Sequence, residues 1–287
     1  MTRGELTREL ASALGARHEA RIIIEEVLGT RTAGRPEMTA GEIERARTMA
    51  ARCTAGEPLQ YVLGHWAFRD LDLMVDARVL IPRPETEQVV EVVLAELARL
   101  AVVDPVVVDA GTGSGAIALS LAREMARRGS GGQVYGIDVS ADALDVARDN
   151  LERVRGQDGA MVPVTLVQGW WLEGLADHLR GSVTLVVSNP PYVTECEWAD
   201  LEAAVRAEPR QALVAGEGSD GTPGLADVEV VLTQSMEILS RPGVAVIELA
   251  PHQAEAAGSL AKAMGYDEVE VRPDLTPLPR ALVARLT

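Results

Sequence analysis

The stretch Val106-Val107-Val108-Asp109-Ala110-Gly111-Thr112-Gly113-Ser114-Gly115-Ala116 decides the fold class. Three successive valines make an unbroken apolar run, the composition of a short strand buried on both faces. Glycines at alternate positions then strip Cβ atoms from the turn, and residues 116–127 carry apolar groups at helical spacing. Strand, glycine turn and helix start, in that order, predict a ligand site: the backbone can approach the ligand, and the first-turn N–H groups are unpaired. Gly111, Gly113 and Ala116 also satisfy the dinucleotide pattern G-x-G-x-x-G/A.

The same alternation continues outward. Val134 to Ile137 reads as a second strand, 141–154 as a helix, Val162 to Val167 as a third strand and Val183 to Val187 as a fourth. A helix over 225–239 precedes a fifth strand, Val244 to Leu249, and the runs Val269–Val271 and Ala281–Leu286 close the chain. Buried strands separated by helices predict an α/β, doubly wound sheet with right-handed crossovers. Upstream, residues 1–56 read as helices. Leu6, Leu10 and Leu14 share one face; Ile22, Ile23, Val27 and Leu28 continue the stripe after Gly15; Thr39 with Glu42 forms a capping box. Residues 59–81 carry short, partly alternating apolar runs and predict strands or a hairpin, stopped by Pro82 and Pro84, before a helix over 85–100. Domains are therefore expected at 1–58 (helical), 59–84 (a β-hairpin linker) and 85–287 (the α/β sheet).

Composition narrows the function. A chain of 287 residues is long enough for two domains. The net charge of −16 disfavours direct nucleic-acid binding, which draws its affinity from Lys and Arg displacing counterions. The densest basic cluster, Arg123 to Arg128, reads as an exposed helical face. Cys53 and Cys196 lack disulfide or zinc spacing and read as reduced thiols in a cytoplasmic protein, and His18, His65, His178 and His252 are too scattered for a metal site. The charged N-terminus is no signal peptide, and no uncharged apolar run reaches the roughly 18 residues of a membrane span.

Two further signals carry chemistry. The second strand ends at Asp138, whose carboxylate suits a pair of ribose hydroxyls. Asp109, just before the glycine turn, would repel a pyrophosphate and suits the cationic methionine end of S-adenosylmethionine. The fourth strand runs into Ser188-Asn189-Pro190-Pro191-Tyr192. The Asn189 side-chain oxygen and the Pro190 carbonyl can accept the two N–H groups of a planar NH₂ and hold its nitrogen in line with a methyl donor, an orientation effect worth up to roughly 7–11 kcal/mol in ideal cases. The prolines fix φ and hold the carbonyls in place, and Tyr192 can pack on the planar group.

Around these residues lie Gln60-Tyr61-Val62-x-Gly64 leading to Phe68, Ile81-Pro82-Arg83-Pro84-Glu85-Thr86-Glu87, Arg206-x-Glu208-Pro209 with Ala212-Leu213 and Gly216, and Asp274-Leu275 before Pro279-Arg280. With them the chain resembles, over nearly its whole length, the bacterial release factor glutamine methyltransferase family. The resemblance implies a mostly parallel seven-stranded sheet and an N-terminal helical domain that helps grip the release factor. It implies S-adenosyl-L-methionine as cofactor, methylation of N5 of the glutamine in the Gly-Gly-Gln loop of peptide chain release factors, and a cytoplasmic monomer without membrane or direct nucleic-acid contact. Cofactor contact falls to Asp109, Gly111, Thr112, Gly113, Ser114, Gly115, Asp138, Trp171 and Asn189. Substrate contact falls to Asn189, Pro190, Pro191 and Tyr192, with Arg83 and Glu87 at the mouth or, alternatively, forming a hinge and helix cap. Asn189, Pro190 and Tyr192 are the expected catalytic set. The sequence departs from the family in Trp170, where Asp is usual before Trp171, and in Asp70, where Gly is usual after Phe68. The competing readings are a methyltransferase for a ribosomal-protein glutamine, a DNA adenine-N6 methyltransferase, a nicotinamide-dependent dehydrogenase, which leaves Asn189–Tyr192 without a task, and a regulatory binding module.

Overall fold

A computed structural model of the chain describes residues 1–29, 37–157, 159–175 and 177–287. The part of the helical reading that falls on 30–36 lies outside the described residues. Three helices come first: α1 (Arg3–Leu14), α2 (Arg17–Leu28) and α3 (Ala40–Thr54). Thr2 with Glu5 and Thr39 with Glu42 form capping boxes that satisfy the first-turn donors of α1 and α3. Leu6, Leu10, Ile23, Ile24, Ala46 and Ala50 meet in one apolar cluster, which Leu59 closes.

The segment expected to form strands or a hairpin begins instead as a helical turn, α4 (Leu59–Leu63). Pro58 starts it, and Gly64, at φ +79°, ends it in the left-handed conformation that only glycine adopts at little cost. The hairpin is shorter than its apolar runs suggested, β1 (His65–Phe68) and β2 (Leu71–Met74). Beyond it Val75, Val79 and Ile81 are buried without regular structure, packed on Ala143 and Val146. Those runs signalled burial against a neighbour, which sequence periodicity does not separate from strand pairing.

The remaining elements are α5 (Pro84–Leu100), β3 (Val106–Ala110), α6 (Ala116–Arg127), β4 (Gln133–Asp138), α7 (Ala141–Arg155), β5 (Val164–Gln168), β6 (Val183–Ser188), α8 (Glu195–Asp200), α9 (Ala203–Arg206), α10 (Ala226–Ile238), β7 (Leu239–Glu248), α11 (Ala254–Met264), β8 (Glu268–Pro273) and β9 (Pro279–Leu286). The large sheet has seven strands in the order β5-β4-β3-β6-β7-β9-β8, parallel except for β9, which runs antiparallel to both its neighbours. Alternate residues of each strand serve opposite cores. Val107, Val134, Leu185 and Val244 face a cluster with α5, α6 and α7, whereas Val108, Ile137, Val186 and Ala245 face α10 and α11. Helix α11 was not foreseen, because it buries Ala254, Ala257 and Ala261 rather than a stripe of large apolar groups. The short α8 and α9 bury no residue and left no periodic signal.

Polar links fasten the hairpin to the sheet domain. Buried Asn150 of α7 accepts from Met74 N at 2.6 Å and donates to Met74 O and to Ser114 O of the glycine turn. Asp70 pairs with Arg127 at 2.5 Å and draws in Arg123. Arg123 is therefore 8% exposed, not part of an open basic face, and its neighbours Arg127 and Arg128 alone keep that role. On the other side of α5, Glu96 is 1% exposed and takes both Arg285 and Arg272. Burial works against its charge, but Arg285 and Arg99 outweigh it and hold the carboxyl at about 2. Among the described residues no helix is long and apolar enough to cross a membrane.

His65 ties the hairpin to the helical region by lying between Asp72 of β2 and Glu26 of α2. Burial opposes its charged form, but the two carboxylates prevail and raise its pKa. A pKa raised on folding stabilises the folded state fully below the unfolded value of about 6.5, and that contribution is lost as pH rises through the folded value. We expect the melting temperature of the wild type to exceed that of His65→Gln by more at about pH 6 than at about pH 8.5. Calorimetric scans at the two pH values check this; an equal difference at both refutes the charged bridge.

Candidate active site at the carboxyl ends of the strands

Register aligns the chemistry. Ala110 of β3 pairs with Ile137 of β4 on one side and with Ser188 of β6 on the other, and Ser188 pairs with Ile247 of β7. One residue further along, Asp138, Gly111, Asn189 and Glu248 therefore form a row at the carboxyl edge of four adjacent strands. The chain leaves β3 toward β4 and β5, then returns to the opposite side of β3 with β6. That reversal between β3 and β6 is the topological switch point, where open α/β sheets bind their ligands.

The glycine turn is pinned to β4. Gly111 N and Thr112 N both donate to Ile137 O, at 2.9 and 2.8 Å, and Gly113 N donates to the Asp138 carboxylate at 2.8 Å. Gly111, Gly113 and Gly115 all take positive φ. A cavity of about 680 Å³ opens above the turn, within the usual 300–1,000 Å³ of ligand sites. Of the turn's residues only Gly111 and Gly113 line it, together with Asp138, Trp170, Trp171, Asn189, Pro191 and Asp227.

Several expected contacts are thereby reassigned. Asp109 does not face the cavity: it is wholly buried beneath the turn, where it accepts from the Thr112 hydroxyl at 2.7 Å and from Ala118 N at 3.1 Å. Burial pushes its carboxyl up to about 7, against those two hydrogen bonds. It braces the turn rather than meeting a cation. Thr112 and Ser114 are buried, and Gly115 is the residue from which α6 starts, so these three shape the cradle without lining it. Asp138 does line the cavity, with its second oxygen accepting from Ser140 N at 2.9 Å; burial raises its pKa.

The two tryptophans part company. Trp171 is half-buried against the α10 side of the core, and its ring lies so close to Gly111 that a Cβ there would come within 3.2 Å of it. Its indole N–H is buried and closes no hydrogen bond of ordinary geometry; Asp227 is the carboxylate that faces it, and burial raises the Asp227 pKa. Trp170 is 47% exposed at the cavity rim.

Asn189 is half-buried and donates through Nδ2 to the Thr86 hydroxyl at 3.2 Å, on the first turn of α5. Pro190 is buried and Pro191 half-buried. Tyr192 is outside the cavity lining; burial raises its phenol, and Glu248 adds to the shift while Arg280 and Arg83 oppose it. Buried Gln253, which the sequence did not single out, donates to Gly224 O at 3.0 Å and to Tyr192 O at 3.5 Å and so clamps the exit of the tetrapeptide. Glu87 is not at the mouth. Its carboxylate accepts from Arg69 N at 2.8 Å, capping the hairpin turn where Arg69 takes φ 53°. Arg83 pairs with Glu208, which also accepts from Ile81 N at 2.9 Å. Neither Arg83 nor Glu87 lines the cavity: Arg83 stands at the start of α5 without a side-chain capping bond, and Glu87 caps the hairpin turn rather than a helix.

Residues 3–64 match the PrmC N-terminal domain family, and residues 107–213 match a methyltransferase domain family. The release factor glutamine methyltransferase of Moorella thermoacetica is 38% identical, covering 98% of this chain and 96% of its own. That of Burkholderia pseudomallei is 37% identical over 99% and 96%. The chain belongs to the release factor glutamine methyltransferase family. The catalytic domain of hMettl16, solved in complex with MAT2A 3′UTR hairpin 1, superposes with TM-score 0.58 at 15% identity over 98% of this chain and 91% of its own, a likeness of fold alone. S-adenosyl-L-methionine is the cofactor of this methyltransferase, and the cavity suits it: glycine backbone on one wall, an indole ring on another and a carboxylate at the strand end.

We expect Gly111→Ala to weaken S-adenosylhomocysteine binding by at least about tenfold, since the methyl group meets the Trp171 ring and the left-handed backbone costs roughly 1–2 kcal/mol more for a residue with a Cβ. Titration calorimetry measures this, and unchanged affinity would remove Gly111 from the cradle.

Proposed function

We propose that this methyltransferase transfers a methyl group from S-adenosylmethionine to the side-chain amide nitrogen, N5, of the glutamine in the Gly-Gly-Gln loop of peptide chain release factors. The observation that carries the reading is Asn189, which lines the cavity at the end of β6, one strand from Gly111, with Pro191 beside it. The name borne by relatives that align over almost the entire chain supports the choice of target.

In this reading Gly111, Gly113, Asp138 and Trp171 hold the cofactor, with Asp138 accepting from ribose hydroxyls. S-adenosylmethionine, when bound, supplies an electrophilic methyl group on a sulfonium. The chain's own residues supply orientation. An amide nitrogen is a poor nucleophile because its lone pair is shared with the carbonyl. Asn189 Oδ1 accepts one N–H of the target and the Pro190 carbonyl the other, which fixes the nitrogen and favours the transition state, where both N–H bonds become more acidic. The amide then sheds its proton readily, so no strong base is needed. Tyr192 packs against the planar group.

The helical region 1–58 grips the release factor, and the segment 59–84 carries it to the catalytic domain 85–287. The chain acts as a cytoplasmic monomer, and its charge of −16 argues against a nucleic-acid target.

Incubation with methyl-labelled S-adenosylmethionine and, separately, release factor, ribosomal protein or DNA tests the target. Label on the release-factor glutamine is expected; label on DNA or ribosomal protein alone overturns the proposal. Asn189→Ala is expected to lower kcat at least about a hundredfold, the scale of a lost orienting contact, while S-adenosylhomocysteine still binds. Unchanged turnover refutes the two-acceptor mechanism.

A further inference from the structure

Glu248, the last residue of β7, has no part in the mechanism so far, yet it stands next to Asn189 in the row of strand ends. It is 1% exposed, and neither carboxylate oxygen has a hydrogen-bond partner. Both cations nearest to it are engaged elsewhere. Arg280 pairs with Asp274 at 3.2 Å and donates to Leu249 O, and Arg83 pairs with Glu208. An unpaired buried carboxylate is among the more costly features a fold can hold, and such groups cluster where function requires them. Burial pushes Glu248 up to about 7; the Thr86 hydroxyl, which faces it without closing a bond of ordinary geometry, acts in the opposite direction, as do Arg280 and Arg83, while Glu85 adds to the rise.

Thr86 is itself 4% exposed and lies between the two groups: its oxygen accepts from Asn189 Nδ2 at 3.2 Å, and its hydroxyl has one proton to place. A carboxylate only accepts, so a proton directed at Glu248 leaves a Thr86 lone pair facing Asn189. That lone pair selects Nδ2 over Oδ1, because an amide oxygen cannot donate. We propose that Glu248 and Thr86 are positioning residues which, in series, set the orientation of the Asn189 side-chain amide and keep its Oδ1 turned to the target nitrogen. The inference rests on the reading of Asn189 as an acceptor for the glutamine amide. It explains why a buried carboxylate stands at this strand end with only the Thr86 hydroxyl to direct a proton toward it, and why a threonine occupies the first turn of α5 in Pro84-Glu85-Thr86-Glu87. A Gln in place of Glu248 offers its NH₂ to the Thr86 oxygen as well as its Oε1 to the Thr86 proton, so the hydroxyl is no longer held one way and the Asn189 amide can turn over, presenting Nδ2 to an NH₂ group that it cannot accept from.

The test uses the full-length enzyme with release factor and S-adenosylmethionine. Glu248→Gln and Thr86→Val are each expected to lower kcat by roughly tenfold or more, with KM for S-adenosylmethionine and the calorimetric affinity for S-adenosylhomocysteine within about twofold of wild type. Thr86→Ser, which keeps the hydroxyl, is expected to restore most of kcat. The double variant is expected to be no slower than the slower single variant, because residues acting in series do not lose independently. Glu248→Gln is also expected to melt no lower than wild type, since it removes an uncompensated buried charge. Undiminished kcat in Thr86→Val, a Thr86→Ser enzyme as slow as Thr86→Val, multiplying losses in the double variant, or a Glu248→Gln enzyme that melts lower at full kcat each overturns the relay. If wild-type enzyme labels no release factor, the functional reading falls and the relay with it; wild-type turnover with unaffected variants overturns the relay alone.

Discussion

The parallel register of β4, β3, β6 and β7 is the constraint on which the site depends. Hydrogen bonding between neighbouring strands places Ile137, Ala110, Ser188 and Ile247 side by side, all buried. The four residues that follow them, Asp138, Gly111, Asn189 and Glu248, leave the sheet at one level, and the first three line the cavity. A slip of one residue in any strand would turn its apolar set from one core to the other. The two cores that flank the sheet therefore fix the register, and the register delivers the site. Val107 and Val108 show this at close range, the first packed toward α5 and α6, the second toward α10 and α11.

Rigidity at that edge comes from buried polar groups that serve the backbone. Asp109 supports the glycine turn from below through Thr112 and Ala118. Asn150 binds the same turn to the hairpin through Ser114 and Met74. Gln253 holds the far end of the Asn-Pro-Pro-Tyr segment, and Gly224 must be glycine there because a Cβ would come within 2.7 Å of Tyr192 O and closer still to Gln253. Glu208 bridges the segment before α5 to the residues that wall the cavity at Pro209 to Ala212. These groups make the site a fixed cradle, as a reaction that depends on aiming one poor nucleophile requires. Glu248 differs in that neither of its buried oxygens closes a hydrogen bond, whereas Asp109 keeps one oxygen engaged, which is why Glu248 draws a functional explanation.

Much of the fold was legible because its signals are local. The valine runs, the glycine turn, the capping boxes and the prolines before α5 each act within a few residues, and the elements they predict lie where expected to within a residue or two in β3, α6, α7 and β6. Legibility failed where the decisive partner is distant. The apolar residues from Leu59 to Ile81 are buried by the helical region at one end and by α7 at the other, so outside the short β1–β2 hairpin the apolar runs did not mean pairing. Helix α11 is held by small residues against the sheet. Arg123 lost its exposed position to Asp70, more than fifty residues away in the chain.

The sequence by itself determined the class of the protein, its cofactor loop and the chemical character of its target, since glycine geometry, strand composition and the Asn-Pro-Pro-Tyr tetrapeptide are properties of contiguous residues. Only the tertiary structure decided which side chains of those motifs face the ligand and which hold the frame. Asp109 and Glu87 are acidic side chains like Asp138, and nothing local separates them. Their tasks differ because packing turns Asp138 toward the cavity, buries Asp109 under the turn and spends Glu87 on a hairpin cap. Burial and partnership are set by elements that meet only when the sheet closes, and the neighbourhood of Glu248, Thr86 and Asn189 is a product of that closure alone.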